Sequence, residues 1–142
     1  MSVHPRFDQH LGIGTRSDAP GTCVAGLRLG PEHRNIEGWI HGGVFLTLLD
    51  TAMGHAIASL RGEGLSSAAT IQFSCQFLQP PQGERLEARG AVVRMGGTTA
   101  FVEGELRDDR GIEVARAHGV WRVWRGAKDV RVAPDAPRPG AA

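Results

Sequence analysis

Val44-Phe45-Leu46-Thr47-Leu48-Leu49-Asp50-Thr51-Ala52-Met53-Gly54-His55-Ala56-Ile57-Ala58-Ser59-Leu60 is the stretch on which the fold turns. Its apolar residues Val44, Phe45, Leu48, Leu49, Ala52, Met53, Ala56, Ile57 and Leu60 recur at the spacing of an α-helix. Gly42-Gly43 before it and Arg61-Gly62 after it predict the ends. A helix apolar around more than half its circumference is one covered on several sides, not one lying on a surface. Thr47, Asp50, Thr51, Gly54 and Ala58 occupy the remaining arc, small or polar residues that leave room for a ligand or a second backbone.

Away from this helix the pattern changes to that of strands. Ala69 to Leu78, Arg85 to Met95, Thr98 to Arg107 and Ile112 to Trp124 read as strands, separated by the Pro80-Pro81-Gln82-Gly83 turn, by Gly96-Gly97 and by Asp108-Asp109-Arg110-Gly111. Upstream, Thr22 to Leu29 is a further strand and Leu11 to Arg16 a weaker one. One nearly buried helix, preceded by one or two strands and followed by a long antiparallel meander, predicts an α+β architecture with the sheet wrapped about the helix. At 142 residues the chain fits one domain, read as 1–131, with a loose Pro- and Ala-rich tail over 132–142. Twenty glycines without a three-residue period exclude collagen and predict many tight turns between short strands.

Charge and cysteine usage narrow the function classes. Sixteen Lys and Arg against 15 Asp and Glu leave a net charge of +1, with no basic stripe for a phosphate backbone, so nucleic acid is not an expected partner. Cys23 and Cys75 each sit in an apolar stretch, as free thiols do. No secretory apolar region follows His4-Pro5-Arg6, and the longest mainly apolar stretch is interrupted by Asp50 and His55. The expectation is a cytoplasmic protein with no membrane association. The six histidines show no His-x-x-x-His or Cys-x-x-Cys spacing, so no metal is expected, and phosphate-binding glycine loops and the Gly-x-Ser-x-Gly elbow are missing too.

The helix is led into by Asn35-Ile36-Glu37-Gly38-Trp39-Ile40-His41-Gly42-Gly43: an Asn, His-Gly-Gly six residues later, then an acid nine residues past the His. With Thr70 and the Phe77-Leu78-Gln79-Pro80 strand end at matching spacing, the stretch from about Phe7 to Arg125 resembles the hot-dog-fold acyl-CoA thioesterases of the phenylacetate-pathway, PaaI-like type. The resemblance implies a homodimer or tetramer with thioester sites between helices. It also implies acyl-CoA as substrate, no further cofactor, Gly42 N–H as oxyanion donor, and contacts from His41 and Asn35. Gly43 and the Arg94-Met95-Gly96-Gly97-Thr98 segment would then meet the CoA arm, although many relatives carry a basic residue where this chain has Gly97. Hydratases and non-catalytic acyl-CoA binders share that architecture, and both stand as alternatives.

The residues argue beside the resemblance. Asp50 is the only charged residue from Gly42 through Leu60, and a carboxylate beside Leu48, Leu49, Ala52 and Met53 is costly unless paired or used. It is either a structural acceptor or a catalytic group, acting as general base for water or as nucleophile on the thioester carbonyl. Gly42 and Gly43 are plain helix-start glycines, or they bring first-turn N–H groups close to a developing negative charge. Thr70 either holds the attacking water or is an ordinary strand residue. Trp39, Phe45 and Trp121 are candidates for an acyl pocket or for core, and Arg125 and Lys128 are weaker phosphate candidates. Gly42 and Asp50 lie eight residues, and so about 12 Å, apart along one helix. They cannot both touch one carbonyl. Antiparallel helices across a two-fold axis would face Gly42 of one chain with Asp50 of the other.

Overall fold

The computed structural model describes residues 6–60 and 64–126. The Arg61-Gly62 stop, Lys128 and the 132–142 tail lie outside these residues. Elements run α1 (Phe7–Leu11), β1 (Gly14–Arg16), β2 (Thr22–Arg28), a 3₁₀ turn at Pro31–His33, α2 (Gly42–Ala58), β3 (Leu65–Phe77), β4 (Arg85–Met95), β5 (Thr99–Asp108) and β6 (Glu113–Arg125). The six strands form one antiparallel sheet in the order β1-β2-β4-β5-β6-β3, bent around α2. The α+β expectation holds, but the meander is only β4-β5-β6. Thr22–Arg28 already pairs with Arg85–Ala91, which leaves the far side of β6 as the place for β3.

α2 begins at Gly42, two residues before the expected Val44, because His41 caps it: the His41 Nδ1 accepts the Gly43 N–H at 2.8 Å. It ends where Ser59 Oγ donates to the Ala56 carbonyl at 2.6 Å and accepts the Gly21 N–H at 2.8 Å. Upstream, the weak strand expected over Leu11 to Arg16 is instead α1 followed by β1. Gly12, at φ +84°, turns the chain out of the helix, and the buried His33 ring donates from Nε2 to the Leu11 carbonyl. Val44, Phe45, Leu48, Leu49, Ala52, Met53, Ala56 and Ile57 form the buried stripe of α2, packed on Leu27, Leu86, Val102, Leu106, Val114, Trp121 and their neighbours. Among the described residues no helix is long and apolar enough to cross a membrane.

The expectation of short strands joined by glycine turns is corrected here. β3 and β6 each have 13 residues and β4 has 11. Several glycines serve helix packing inside them. Cys23, Gly90, Gly104, Ala117 and Cys75 are register partners in one row across β2, β4, β5, β6 and β3. A Cβ at Gly90 would stand 2.5 Å from the Ala52 carbonyl oxygen, and one at Gly104 would stand 2.9 Å from Met53 Sδ. The small row is therefore the seat of α2, an interior use of glycine that only close backbone approach explains. Irregular registers at Leu65/Ser67, Thr70/Gln72 and Val92/Arg94 help bend the strands around that seat.

The expected turn at Asp108-Asp109-Arg110-Gly111 contains a buried carboxylate. Asp108 Oδ2 accepts the Gln82 and Gly83 N–H groups at 2.7 and 2.9 Å, and Oδ1 those of Arg110 and Ile112 at 2.9 and 2.8 Å. Burial alone pushes this carboxyl up. The four N–H donors outweigh it and hold the group below its ordinary range. A carboxyl depressed in the folded state adds stability above its unfolded pKa near 4, and that stability is lost as pH falls through the lower folded value. Asp108→Asn should cost about 2–4 kcal/mol at neutral pH, because an NH₂ then faces two N–H donors. Urea titrations at pH 7 and pH 3 check this, with the gap between the two proteins expected to narrow in acid.

Candidate active site

The loop ahead of α2 is closed on itself. The His41 N–H donates to the His33 carbonyl at 2.8 Å, Asn35 N–H to the Trp39 carbonyl at 2.7 Å, and Asn35 Oδ1 accepts the Glu37 and Trp39 N–H groups at 3.0 and 3.1 Å. Gly38 sits at φ +84°, a left-handed turn that favours glycine. With its oxygen held inside the loop, Asn35 has its NH₂ left to offer. With Nδ1 accepting from Gly43, the neutral His41 ring carries its proton on Nε2.

The helix start is narrower chemically than the sequence implies. The Gly43 N–H is taken by His41 and the Val44 N–H by the His41 carbonyl at 2.9 Å. The Gly42 N–H is left without a partner among the described residues, at the positive end of the helix dipole. Gly43 is glycine for an intramolecular reason, since a Cβ there would stand 2.9 Å from His41 Nδ1. At Gly42 a Cβ would meet the Phe77 ring at 2.9 Å, and Phe77 in turn stands edge-on to Phe45 with centroids 5.5 Å apart. Phe77 is thus a neighbour of the Gly42 donor. Its place in the Phe77-Leu78-Gln79-Pro80 strand end was visible in the sequence, but its contact with Gly42 spans 35 residues and was not.

Asp50 lies on the arc of α2 away from the core and is half-buried in one chain, not deeply so as its apolar neighbours imply. Thr70 of β3 donates from Oγ1 to Asp50 Oδ1 at 2.7 Å. The hydroxyl expected to hold water thus holds the carboxylate, which leaves Asp50 Oδ2 and the second face of Thr70 open. Asp50 and Thr70 line a groove of about 510 Å³ with Thr51, Gly54, His55, Ala58, Phe7 and Trp121. A separate groove of about 510 Å³ lies at the other end of α2, walled by Leu29, Trp39, Ile40, Phe45, Pro80 and Pro81. The two share no residue. The fold therefore brings Asn35, His41 and Gly42 together at one end and Asp50 with Thr70 at the other, and Trp39 and Phe45 fall with the first set while Trp121 falls with the second.

The β4–β5 hairpin belongs to neither groove. Gly96 N–H donates to the Thr99 carbonyl at 2.7 Å, Thr98 accepts the Val123 N–H at 2.9 Å, and the Arg125 guanidinium donates to the Gly96 and Gly97 carbonyls at 3.0 and 3.3 Å. Arg125 thus braces the hairpin. Arg94 is exposed on β4, and a Cβ at Gly97 would meet nothing within 4 Å. Among the described residues no three His, Cys, Asp or Glu side chains gather as a metal site would require. Cys23 and Cys75 are free, and burial pushes both thiols up, away from the thiolate a nucleophile needs.

A sheet wrapped on one helix, with an unbonded glycine N–H at the helix start and a carboxylate two turns on, is the arrangement that the comparisons with known proteins place in a family. Residues 37–115 match the Thioesterase superfamily, and the chain belongs to that family. It is 29% identical over 108 residues to acyl-coenzyme A thioesterase 13 of Homo sapiens, covering 75% of this chain and 76% of that one. Among solved structures it resembles the E. coli PaaI protein from the phenylacetic acid degradation operon, with TM-score 0.74 and 26% identity over 84% of this chain and 83% of that one. It also resembles a Bacillus halodurans protein solved with CoA, with TM-score 0.70 and 32% identity over 83% of this chain and 76% of that one. The chain has the hot-dog fold and is a thioester hydrolase by family.

Proposed function

We propose that this chain hydrolyses acyl-CoA thioesters, small aromatic or short-to-medium in the acyl group, at two equivalent sites of a homodimer. Each site takes Asn35, His41 and Gly42 from one protomer and Asp50 and Thr70 from its partner. The observation that carries this is the division just described: one unbonded helix-start N–H and one Thr-paired carboxylate on the same helix, about 12 Å apart, with Asp50 and Thr70 lining a groove that Asn35, His41 and Gly42 do not reach. The edge of the sheet supports the dimer. β3 is a 13-residue edge strand that exposes Ile71 and Phe77, and an uncovered edge of that length is a pairing surface.

In this reading the thioester oxygen accepts the Gly42 N–H, joined by donors from Asn35 and His41, as charge develops on it. With Asp50 as general base, water attacks the carbonyl carbon, its proton passes to Asp50, the C–S bond breaks, and the proton is returned to the departing CoA sulfur. Asp50 as nucleophile gives the same products through a mixed anhydride that water opens. Arg94, Gly96, Gly97 and Thr98, with Gly43, are the candidates for the CoA arm, and no other cofactor enters.

Purified protein is expected to release CoA thiol from at least one member of a panel of aryl and C2–C12 acyl-CoAs, without added metal and in the presence of a chelator. Sedimentation at micromolar concentration should show a dimer or a dimer of dimers. A panel without turnover returns the chain to the acyl-CoA binders, and an active monomer removes the shared site.

A further inference from the structure

Trp121 is 1% exposed, in the core beneath the groove that holds Asp50, and it is the cross-strand partner of Thr70. Its ring is held by the parallel ring of Phe73 at 6.2 Å. A buried indole N–H normally finds an acceptor, yet among the described residues the Nε1–H of Trp121 has none. It is not sealed off either, since no fully buried side-chain nitrogen lacks a partner among those residues. The little surface Trp121 keeps therefore includes its N–H, and that surface is in the groove. Residue 54 is what leaves it open: a Cβ on Gly54 would stand 3.8 Å from Nε1.

We propose that the Trp121 N–H, reached over Gly54, selects acyl groups that carry a hydrogen-bond-accepting oxygen several bonds from the thioester carbon. Gly54 lies four residues, about one helical turn, from Asp50, which sets the donor along the groove from the place where Asp50 faces the reacting carbon. The inference rests on the reading that the Asp50 groove receives the acyl group. It assigns that group a class, hydroxy- or oxo-acyl, where the apolar wall of Phe7, Ile57 and Leu65 alone would favour plain hydrocarbon. An acyl group without the oxygen covers the donor and leaves it unsatisfied, and that is the source of discrimination.

The test compares 5-hydroxyhexanoyl-CoA with hexanoyl-CoA, which differ by that one oxygen. Wild type should favour the hydroxylated thioester in kcat/KM by roughly 3- to 10-fold. Trp121→Phe removes the N–H and keeps most of the ring, and Gly54→Ala covers the N–H without a clash. Either should bring the ratio to within about 2-fold of one. Gly54→Ala also replaces a poor helix former by the best one, so it stands as the folded test should the Phe variant unfold. Calorimetric titration with the two non-hydrolysable thioether analogues reads the same ratio in binding. Loss of turnover with the binding ratio intact then counts against the thioesterase reading alone. No preference in wild type, no binding of either analogue, or a preference that survives both substitutions overturns the assignment of Trp121.

Discussion

Asp50→Asn is expected to lower turnover roughly 10²- to 10⁴-fold while leaving acyl-CoA binding within a few-fold of wild type. Asn keeps the volume and an oxygen that can accept the Thr70 hydroxyl now bonded to Asp50 Oδ1 at 2.7 Å. It can neither take a proton from water nor attack as a carboxylate. Because Asp50 is only half-buried in one chain and its Thr70 bond can survive, the melting temperature should move by no more than about 3 °C. Steady-state rates and thermal unfolding measured on the same preparation separate the readings: a structural Asp50 would lose stability, and a water activated elsewhere would leave turnover near wild type. Mixed dimers carry the test to the shared site. Gly42→Pro removes the unbonded N–H at a position where proline suits a helix start, and because the added carbons press on the Phe77 ring its fold is checked first by thermal unfolding. An Asp50→Asn protomer paired with a Gly42→Pro protomer contains one intact site and should recover up to about half of wild-type activity. Folded mixed dimers without recovery remove the cross-subunit assignment.

Gly90→Ala is expected to destabilise the chain by about 3 kcal/mol or more, with a melting temperature lower by roughly 10 °C or more. The added Cβ would meet the Ala52 carbonyl oxygen at 2.5 Å, the Ala52 carbonyl carbon at 2.6 Å and the Met53 nitrogen at 2.7 Å. All are backbone atoms of α2, so no rotamer change relieves the contact and the helix must lift from the sheet. Gly97→Ala is the matched control, since a Cβ there meets nothing within 4 Å and the change should be neutral within about 0.5 kcal/mol. Equal stability of the two variants in urea would mean that α2 is not seated on β4 at this row. The same variant bears on function, because lifting α2 displaces Gly42 and Asp50 together.

Much of the candidate site was legible because it is written in local order. Asn35, His41, Gly42 and Asp50 fall within 16 residues, and a helix starting beside His41 sets where each of the last three points. What was misread has one cause in common. Gly90 and Gly104 sit at strand positions that sequence patterning counts as breaks, and only the approach of α2 from another part of the chain makes glycine necessary there. Thr70 was legible as a site residue but not as the hydrogen-bond donor to Asp50, a contact across 20 residues. Asp108 read as a turn residue, and its four N–H partners come from two loops far apart in sequence.

By itself the sequence determined the main helix, the long strands after it and the chemistry they carry: the apolar period of 44–60 marks α2, the β4 bounds at Arg85 and Met95 follow from the flanking turns, and an eight-residue separation places Gly42 and Asp50 too far apart for one carbonyl. These depend on neighbours along the chain, whose geometry is set by bond lengths and helical rise. The tertiary structure decided the rest. It placed β3 at the free edge beyond β6, left Gly42 as the one first-turn donor without a partner among the described residues, joined Thr70 to Asp50, and turned the indole N–H of Trp121 toward the groove under Gly54. Each of these is a contact between segments whose separation along the chain says nothing of their separation in space, so it exists only once the sheet has closed around the helix.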